Sequence, residues 1–151
     1  MTTALLFEAG GQQYGLDVQQ IVEVVPAVHL RSIPGVAAYI AGLFHYRDTI
    51  VPVIDISRLL TGSDAAKRFS TRLVLVHYPD ATKRERVLGL LVEDVVQGLV
   101  ENLGELMAPG IATPESPFLG KIASTGDSMI QFLRVEDLLP EDLRTRLFAE
   151  D

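Results

Sequence analysis

The sequence predicts a mainly β protein made of two small barrels packed together, with short helices that include one at the C-terminus. Three observations carry this reading. Short runs rich in Val, Ile, Leu, Phe and Tyr recur along the chain, each bounded by Gly, Pro or Asp. Two stretches of the N-terminal half are echoed, in the same order, in the C-terminal half. The chain has 151 residues, 48% of them hydrophobic, which allows one domain or two subdomains. Each copy of about 70 residues would be small for an independent core, so a core shared between two barrels is expected.

Leu5–Phe7 and Gln13–Leu16 read as strands, with Ala9-Gly10-Gly11-Gln12 as the turn between them. A short helical turn over Asp17–Gln20 precedes a strand at Ile21–Val25. Tyr39–Tyr46 and Thr49–Asp55 are two further strands, joined tightly through Arg47-Asp48. Pro52 lies inside the second run, and proline cannot donate to a ladder, so an edge or a bulge is expected there. Thr61 to Arg72 reads as a polar surface connection. Leu73–Tyr78 and Arg86–Val92 are strands around a polar hairpin loop, and Val95–Val100 is another strand. Leu103 to Pro117 holds three prolines and two glycines and reads as a long loop. Lys121–Ser124 and Met129–Leu133 close the β region. Pro140 suits the first position of a terminal helix, on which Leu143, Leu147 and Phe148 form a docking face.

The echo aligns Gly15–Glu23 with Gly89–Gln97, and Asp48–Leu60 with Asp127–Leu139. Gly, Leu, Val and Val recur in place in the first pair; Asp, Leu and Leu recur in the second, where the apolar positions also match. The division expected is a first subdomain near 15–70, and a second near 71–135 joined by a strand from 1–14.

Several function classes are disfavoured. Acidic residues outnumber basic ones 20 to 13, a formal charge of −7, which opposes broad electrostatic binding to nucleic acid or anionic lipid. There is no cysteine, so disulfides, thiolate metal sites and cysteine nucleophiles are excluded. No apolar run approaches a membrane span, and the start of the chain lacks the pattern of a signal peptide. A soluble intracellular protein without membrane insertion is expected.

The residues carry no convergent catalytic set and call for no cofactor or metal. His29, His45 and His77 form no H-x-x-x-H pattern, and nucleophile-elbow and phosphate-loop motifs are absent. Glu93-Asp94, if extended, would point to opposite faces. Glu136-Asp137 would be solvated first-turn acids on a short helix. A small-molecule-binding barrel, or an enzyme using His29, His45 and nearby acids, stays open as the alternative. Arg47 has two readings: a solvated hairpin residue, the commoner fate, or a guanidinium presented on a rigid tip to a partner. Glu23, within Ile21–Val25, is either the outward member of a strand or a charged rim around an apolar patch.

The motifs resemble the CheW-like family, the chemotaxis coupling proteins. Gln13–Val18 followed by Ile21–Val24 is similar to the family's Y-G-I-D-I…V-x-E-I opening. Tyr39–Ile56 resembles its hallmark, y-I-x-G-v-x-N-L-R-G-x-I-x-P-V-I-D-L. Val87–Val95 resembles G-l-v-V-D-x-V, and Phe118–Gly120 and Met129–Leu139 resemble the last strand and the turn into the closing helix. The resemblance implies a single domain over 1–151, built of two intertwined SH3-like five-stranded barrels, without enzyme activity. It implies an adaptor that joins a chemoreceptor cytoplasmic tip to the regulatory domain of a CheA-type histidine kinase, cytoplasmic and recruited to receptor arrays. Residue by residue it points to Arg47 and Glu23 on the coupling surface, with Tyr46 and Asp48 beside Arg47, and Val36 and Ile40 as apolar wall. Gly89 matches a structural glycine of the second barrel.

Three departures stand out: His45-Tyr46-Arg47-Asp48 for N-L-R-G, Glu93 for an aspartate, and Arg134 where Asp or Asn is common. Asp48 in place of glycine is expected to change the turn, because Asp tolerates positive φ less readily. The departures suggest a dedicated receptor–kinase system, such as surface sensing or pilus-based motility.

Overall fold

The chain opens on a hairpin, β1 (Thr2–Ala9) and β2 (Gln12–Asp17), turned by Gly10 and Gly11 at φ 57° and 78°. Two consecutive positive φ values suit glycine and match the twist of the paired strands. The computed structural model describes residues 2–27, 29–65, 71–80, 82–103, 106–107, 116–125 and 128–148. A 3-10 turn at Val18–Gln20 follows, capped by the Asp17 carboxylate, which accepts the Gln19 N–H at 2.9 Å. Then come β3 (Ile21–Pro26), β4 (Ile40–Tyr46), β5 (Thr49–Asp55) and helix α1 (Ile56–Thr61). The second half runs β6 (Arg72–Pro79), β7 (Glu85–Val92), β8 (Asp94–Leu103), β9 (Leu106–Met107), β10 (Leu119–Thr125), β11 (Ser128–Leu133), a 3-10 turn at Val135–Asp137 and helix α2 (Glu141–Leu147).

The strands form a five-stranded sheet, β3-β6-β7-β5-β4, and a six-stranded sheet, β8-β1-β2-β11-β10-β9. The expectation was five strands in each. The extra strand, β9, falls inside the stretch read as loop, because two residues are too short to show a period. Residues 104–105 and 108–115 of that stretch lie outside the described residues, as do 66–70 of the Thr61–Arg72 connection and Ala81 of the β6–β7 loop.

Strand pairing gives the echo a physical meaning. In the parallel pair β2–β11, Gly15 lies opposite Phe132; in the parallel pair β7–β5, Gly89 lies opposite Val53. The echo aligns Gly15 with Gly89 and Phe132 with Val53. Both glycines leave room for the neighbouring strand's side chains. A Cβ on Gly15 would meet Ile130 at 3.1 Å and Phe132 at 3.3 Å, and one on Gly89 would meet Val53 at 2.9 Å.

Each half lends its first hairpin to the other half's sheet. Strands β1–β2 pair with β8 and β11, and β6–β7 pair with β3 and β5. Sheet membership therefore does not follow a division near residue 70: β6 and β7 belong with β3–β5. The chain crosses between sheets at Val18–Gln20 and again at Glu93.

The exchanged hairpins explain the unbroken apolar runs. Strand residues alternate between faces, and both faces of these strands are covered. On β6, Leu73 and Leu75 face the interior of the five-stranded sheet, with Val51 and Val53. Val74, Val76 and Tyr78 face a larger core that also takes Leu5, Phe7, Tyr14 and Leu16 from the first hairpin. On β1, Ala4 and Leu6 face the other way, into a small core with Ala123, Ile130 and Phe132. The shared core joins the two sheets. Helix α2 docks on it through buried Leu143, with Leu147 and Phe148 beside it. The Phe148 ring stacks on Tyr78 at 5.7 Å, and Arg144 Nε donates to the Tyr78 hydroxyl at 3.2 Å. Pro140 is the N-cap of α2 rather than its first residue.

Pro52 pairs with Leu43 of β4, and the parallel pairing with β7 starts only at Val53, so its missing N–H falls where the second side of β5 is unladdered. Helix α1 was not foreseen from the pattern. Its signals are Asp55 at the N-cap and Gly62, at φ 82°, at the C-cap. The Asp55 carboxylate is buried and accepts the Arg58 N–H at 3.1 Å and the Ala65 N–H at 2.9 Å. The motif aspartate thus holds the helix and the segment after it.

Asp80 organises the β6–β7 loop. Its Oδ1 accepts from Thr82 N–H at 2.8 Å, Thr82 Oγ1 at 2.6 Å and Arg84 N–H at 3.0 Å, and its Oδ2 meets Arg86 Nε at 2.9 Å. The Thr82 hydroxyl and the Arg86 guanidinium hold its carboxyl well below the ordinary carboxylate value of 3.8. As pH falls past that value the unfolded chain takes up this proton first. The stability Asp80 adds is therefore present above about pH 4 and lost on further acidification. Urea melts across the acid range should show a shallower loss of stability for Asp80→Asn than for the wild type; identical slopes would refute this.

Candidate partner-binding surface

The β4–β5 connection is a two-residue turn, with Tyr46 paired to Thr49. Within it Arg47 takes φ 54°, and among the described residues Lys83 is the one other non-glycine with positive φ. The left-handed conformation costs an L-residue about 1–2 kcal/mol. Asp48 is not in that region, so replacing the family glycine with aspartate does not put the strain where it was expected; Arg47 carries it.

The Arg47 side chain is largely exposed yet held from two sides. Its guanidinium carbon lies 5.1 Å from the centroid of the Tyr46 ring, a cation–π distance. Its Nη2 lies 3.7 Å from Glu23 Oε1, with side-chain exposures of 74% and 41%. An ion pair this open contributes little stability. It does report on shape: Glu23 lies on β3 and Arg47 just past the end of β4, and these are the two outer strands of the five-stranded sheet, so the sheet curves far enough for one long side chain to span between them. A bulge aims Glu23 there. Ile21 pairs with Val76 and Glu23 with Leu75, so Val22 is the extra residue. Glu23 consequently shares a face with Val25, which lies opposite Leu73, and stands at the rim of the barrel interior. Phe44 and Tyr46, stacked at 6.2 Å, pack on that interior beneath it.

Residues after β3 cover the open edge of β4. Arg31 N–H donates to Leu43 O at 3.0 Å and Leu43 N–H to Arg31 O at 2.8 Å. Gly42, at φ 147°, permits this approach: a Cβ there would lie 2.5 Å from the Arg31 carbonyl oxygen.

Of the residues expected on the surface, Glu23, Tyr46 and Arg47 come together, with exposed Asp48 next in the turn. Ile40 does not join them. It is 7% exposed, lies opposite Ile54 at the far end of β4 and belongs to the shared core. The register shift between Ile40 and Gly42 changes which face it takes. Val36 is half-buried against the same core. Sequence reasoning passed over Phe44 and Ile50. Ile50 is 58% exposed opposite His45, and the alternation with buried Val51 was the available signal.

No histidine cluster forms. His77 on β6 pairs with Glu85 at 2.6 Å, while His29 and His45 are exposed near the β4 edge. Among the described residues no group of three or more His, Asp and Glu could hold a metal ion. Glu93 and Asp94 both line an open cleft of about 490 Å³ with Glu8, Ser57, Thr61 and Asp64. They share it because Glu93 is the bend between β7 and β8, where strand alternation does not apply. Glu136 and Asp137 lie in the 3-10 turn, beside Arg134 at 3.8 and 2.9 Å. Among the described residues no helix is long and apolar enough to cross a membrane.

The protein-family model for the CheW-like domain matches residues 3–143. The chain belongs to the CheW-like family. The chemotaxis protein CheW of Helicobacter pylori is 23% identical over 138 residues, 90% of this chain and 80% of that one. That of Klebsiella aerogenes is 24% identical over 140 residues, with 91% and 81% covered. Among solved structures, the scaffolding protein TtCheW from Thermoanaerobacter tengcongensis superposes with a TM-score of 0.77 at 26% identity, covering 92% of this chain and 88% of that one. The CheW-like fold is a pair of SH3-like subdomains, represented here by the five- and six-stranded sheets.

Proposed function

We propose that this CheW-like chain is a non-enzymatic adaptor of chemosensory signalling. It couples the cytoplasmic tip of a methyl-accepting chemoreceptor to the regulatory domain of a CheA-type histidine kinase, in the cytoplasm at receptor arrays. The relatives are chemotaxis proteins, and the matching solved structure is a scaffolding protein. The observation that carries the reading is Arg47. A cation in a strained turn, held over Tyr46 and beside Glu23 at a barrel rim, is a rigid contact on an acidic molecule. Strain of this kind persists where a site uses it. Coupling then works by geometry: the adaptor fixes where receptor and kinase sit relative to each other, and no bond is made or broken.

The finer reading is a dedicated system such as surface sensing or pilus-based motility, supported by the His45-Tyr46-Arg47-Asp48 departure. Co-purification from cells should recover the receptor and kinase encoded beside this chain. Recovery of only a general chemotaxis kinase would remove the finer reading, and recovery of neither partner would remove the adaptor role.

A further inference from the structure

We infer that Tyr46 is a positioning residue: the face of its ring orients the Arg47 guanidinium, and so sets how tightly a partner that meets Arg47 is held. This deepens the reading of Arg47 as a partner contact and rests on it. The ring is a fixed platform. Tyr46 closes β4 in register with Thr49, stacks on Phe44 at 6.2 Å and packs on the barrel interior. Its hydroxyl has no hydrogen-bond partner among the described residues, so the ring itself is what the site uses.

Adjacent residues of an extended strand point to opposite faces, and Arg47 follows Tyr46 directly. The guanidinium carbon nevertheless lies 5.1 Å from the Tyr46 ring centroid. The left-handed backbone of Arg47, at φ 54°, accounts for this: it turns the chain so that the side chain comes back over its neighbour's ring. The strain and the cation–π contact belong to one arrangement. Arg47 is at the same time uncommitted. Glu23 Oε1 lies 3.7 Å from Nη2, beyond hydrogen-bond distance, and among the described residues the guanidinium makes no hydrogen bond. A guanidinium carries five N–H donors in a rigid fork. All of them stay open to a partner while the ring limits where they point. Binding an arginine that is already held costs less side-chain entropy than binding one that is free. The motif that this segment resembles has leucine in place of Tyr46, and leucine offers no ring face.

The test is calorimetric titration of the full-length chain with two probes, the cytoplasmic fragment of the receptor and the regulatory domain of the kinase encoded beside it. Arg47→Gln identifies the probe that depends on the guanidinium, and the Tyr46 variants are read on that probe. Tyr46→Leu should weaken binding about threefold or more, whereas Tyr46→Phe, which keeps the ring, should stay within about twofold. In the Arg47→Gln background the Tyr46→Leu exchange should change affinity by less than about twofold, because the ring acts only through the guanidinium. Thermal melts check that each variant folds; if Tyr46→Leu does not, Tyr46→Met carries the test with the same expectation. A folded Tyr46→Leu or Tyr46→Met variant within about twofold of wild type would overturn the inference. An equal loss in Tyr46→Phe would do the same, as would a loss that persists undiminished in the Arg47→Gln background. If Arg47→Gln leaves both probes unaffected, the reading of Arg47 falls and that of Tyr46 with it. A wild-type chain that binds neither probe removes the adaptor role as well.

Discussion

Arg47→Glu should abolish association with receptor or kinase in pull-downs while the protein stays folded. Arg47 is largely exposed, its pairing with Glu23 is long and open, and no core residue depends on it. Charge reversal there costs little stability, because exposed ion pairs contribute about 0–1 kcal/mol. It also sets the introduced carboxylate against Glu23, so the rim presents two like charges where a partner would meet a cation. A folded variant with undiminished binding to both partners would sink the assignment of Arg47. The turn supplies a companion result. Arg47→Gly removes the same guanidinium and relieves the left-handed strain, so it should raise stability by about 1 kcal/mol while losing binding. Opposite signs in the two measurements would mark the turn as strained for function. If Arg47→Gly melted well below the wild type, the cation–π contact with Tyr46 would outweigh the strain instead.

Gly42→Ala should be the most damaging single methyl group on this side of the molecule. Two costs act together. A Cβ would lie 2.5 Å from the Arg31 carbonyl oxygen, a backbone atom held by its own hydrogen bond to Leu43. The backbone φ of 147° is also one that residues with a side chain rarely adopt. Overpacking and backbone strain each cost about 1–3 kcal/mol. Their sum is a large share of the roughly 5–15 kcal/mol that holds a typical domain folded. Chemical denaturation should show the midpoint falling by that amount, with the Arg31–Leu43 bridge lost to hydrogen exchange. A Gly42→Ala variant within about 0.5 kcal/mol of wild type would mean that the covering segment moves aside freely.

These two positions show how unevenly the site could be read beforehand. Gly42 and Arg47 both stand in the motif that resembles the family hallmark, so their importance was legible, but the reasons were not. The turn was located correctly from its two-residue length. Which of its residues takes positive φ depends on how Tyr46 and Thr49 pair, and the strain fell on Arg47 rather than Asp48. Glu23 could be narrowed to an outward residue or a rim residue, and only the bulge at Val22 settles which. Ile40 was misplaced for a similar reason, since the register shift beside Gly42 turns it into the shared core.

What the sequence by itself determined is local. Short runs of β-branched and aromatic residues, with the turn residues that bound them, locate nearly every strand, because such side chains suit a pleated chain and Gly, Pro and Asp interrupt it. The echo establishes a duplicated plan, and the glycines at 15 and 89 mark its matching positions. What only the tertiary structure decided is partnership between distant strands. The exchanged hairpins are apolar on both faces, so nothing in their own pattern says which sheet they join; that follows from where Val18–Gln20 and Glu93 carry the chain across. The meeting of Glu23 with Arg47 is likewise a consequence of sheet curvature. Residues 24 positions apart in the chain become neighbours because the five-stranded sheet bends, so that a long side chain from the turn after its last strand reaches its first.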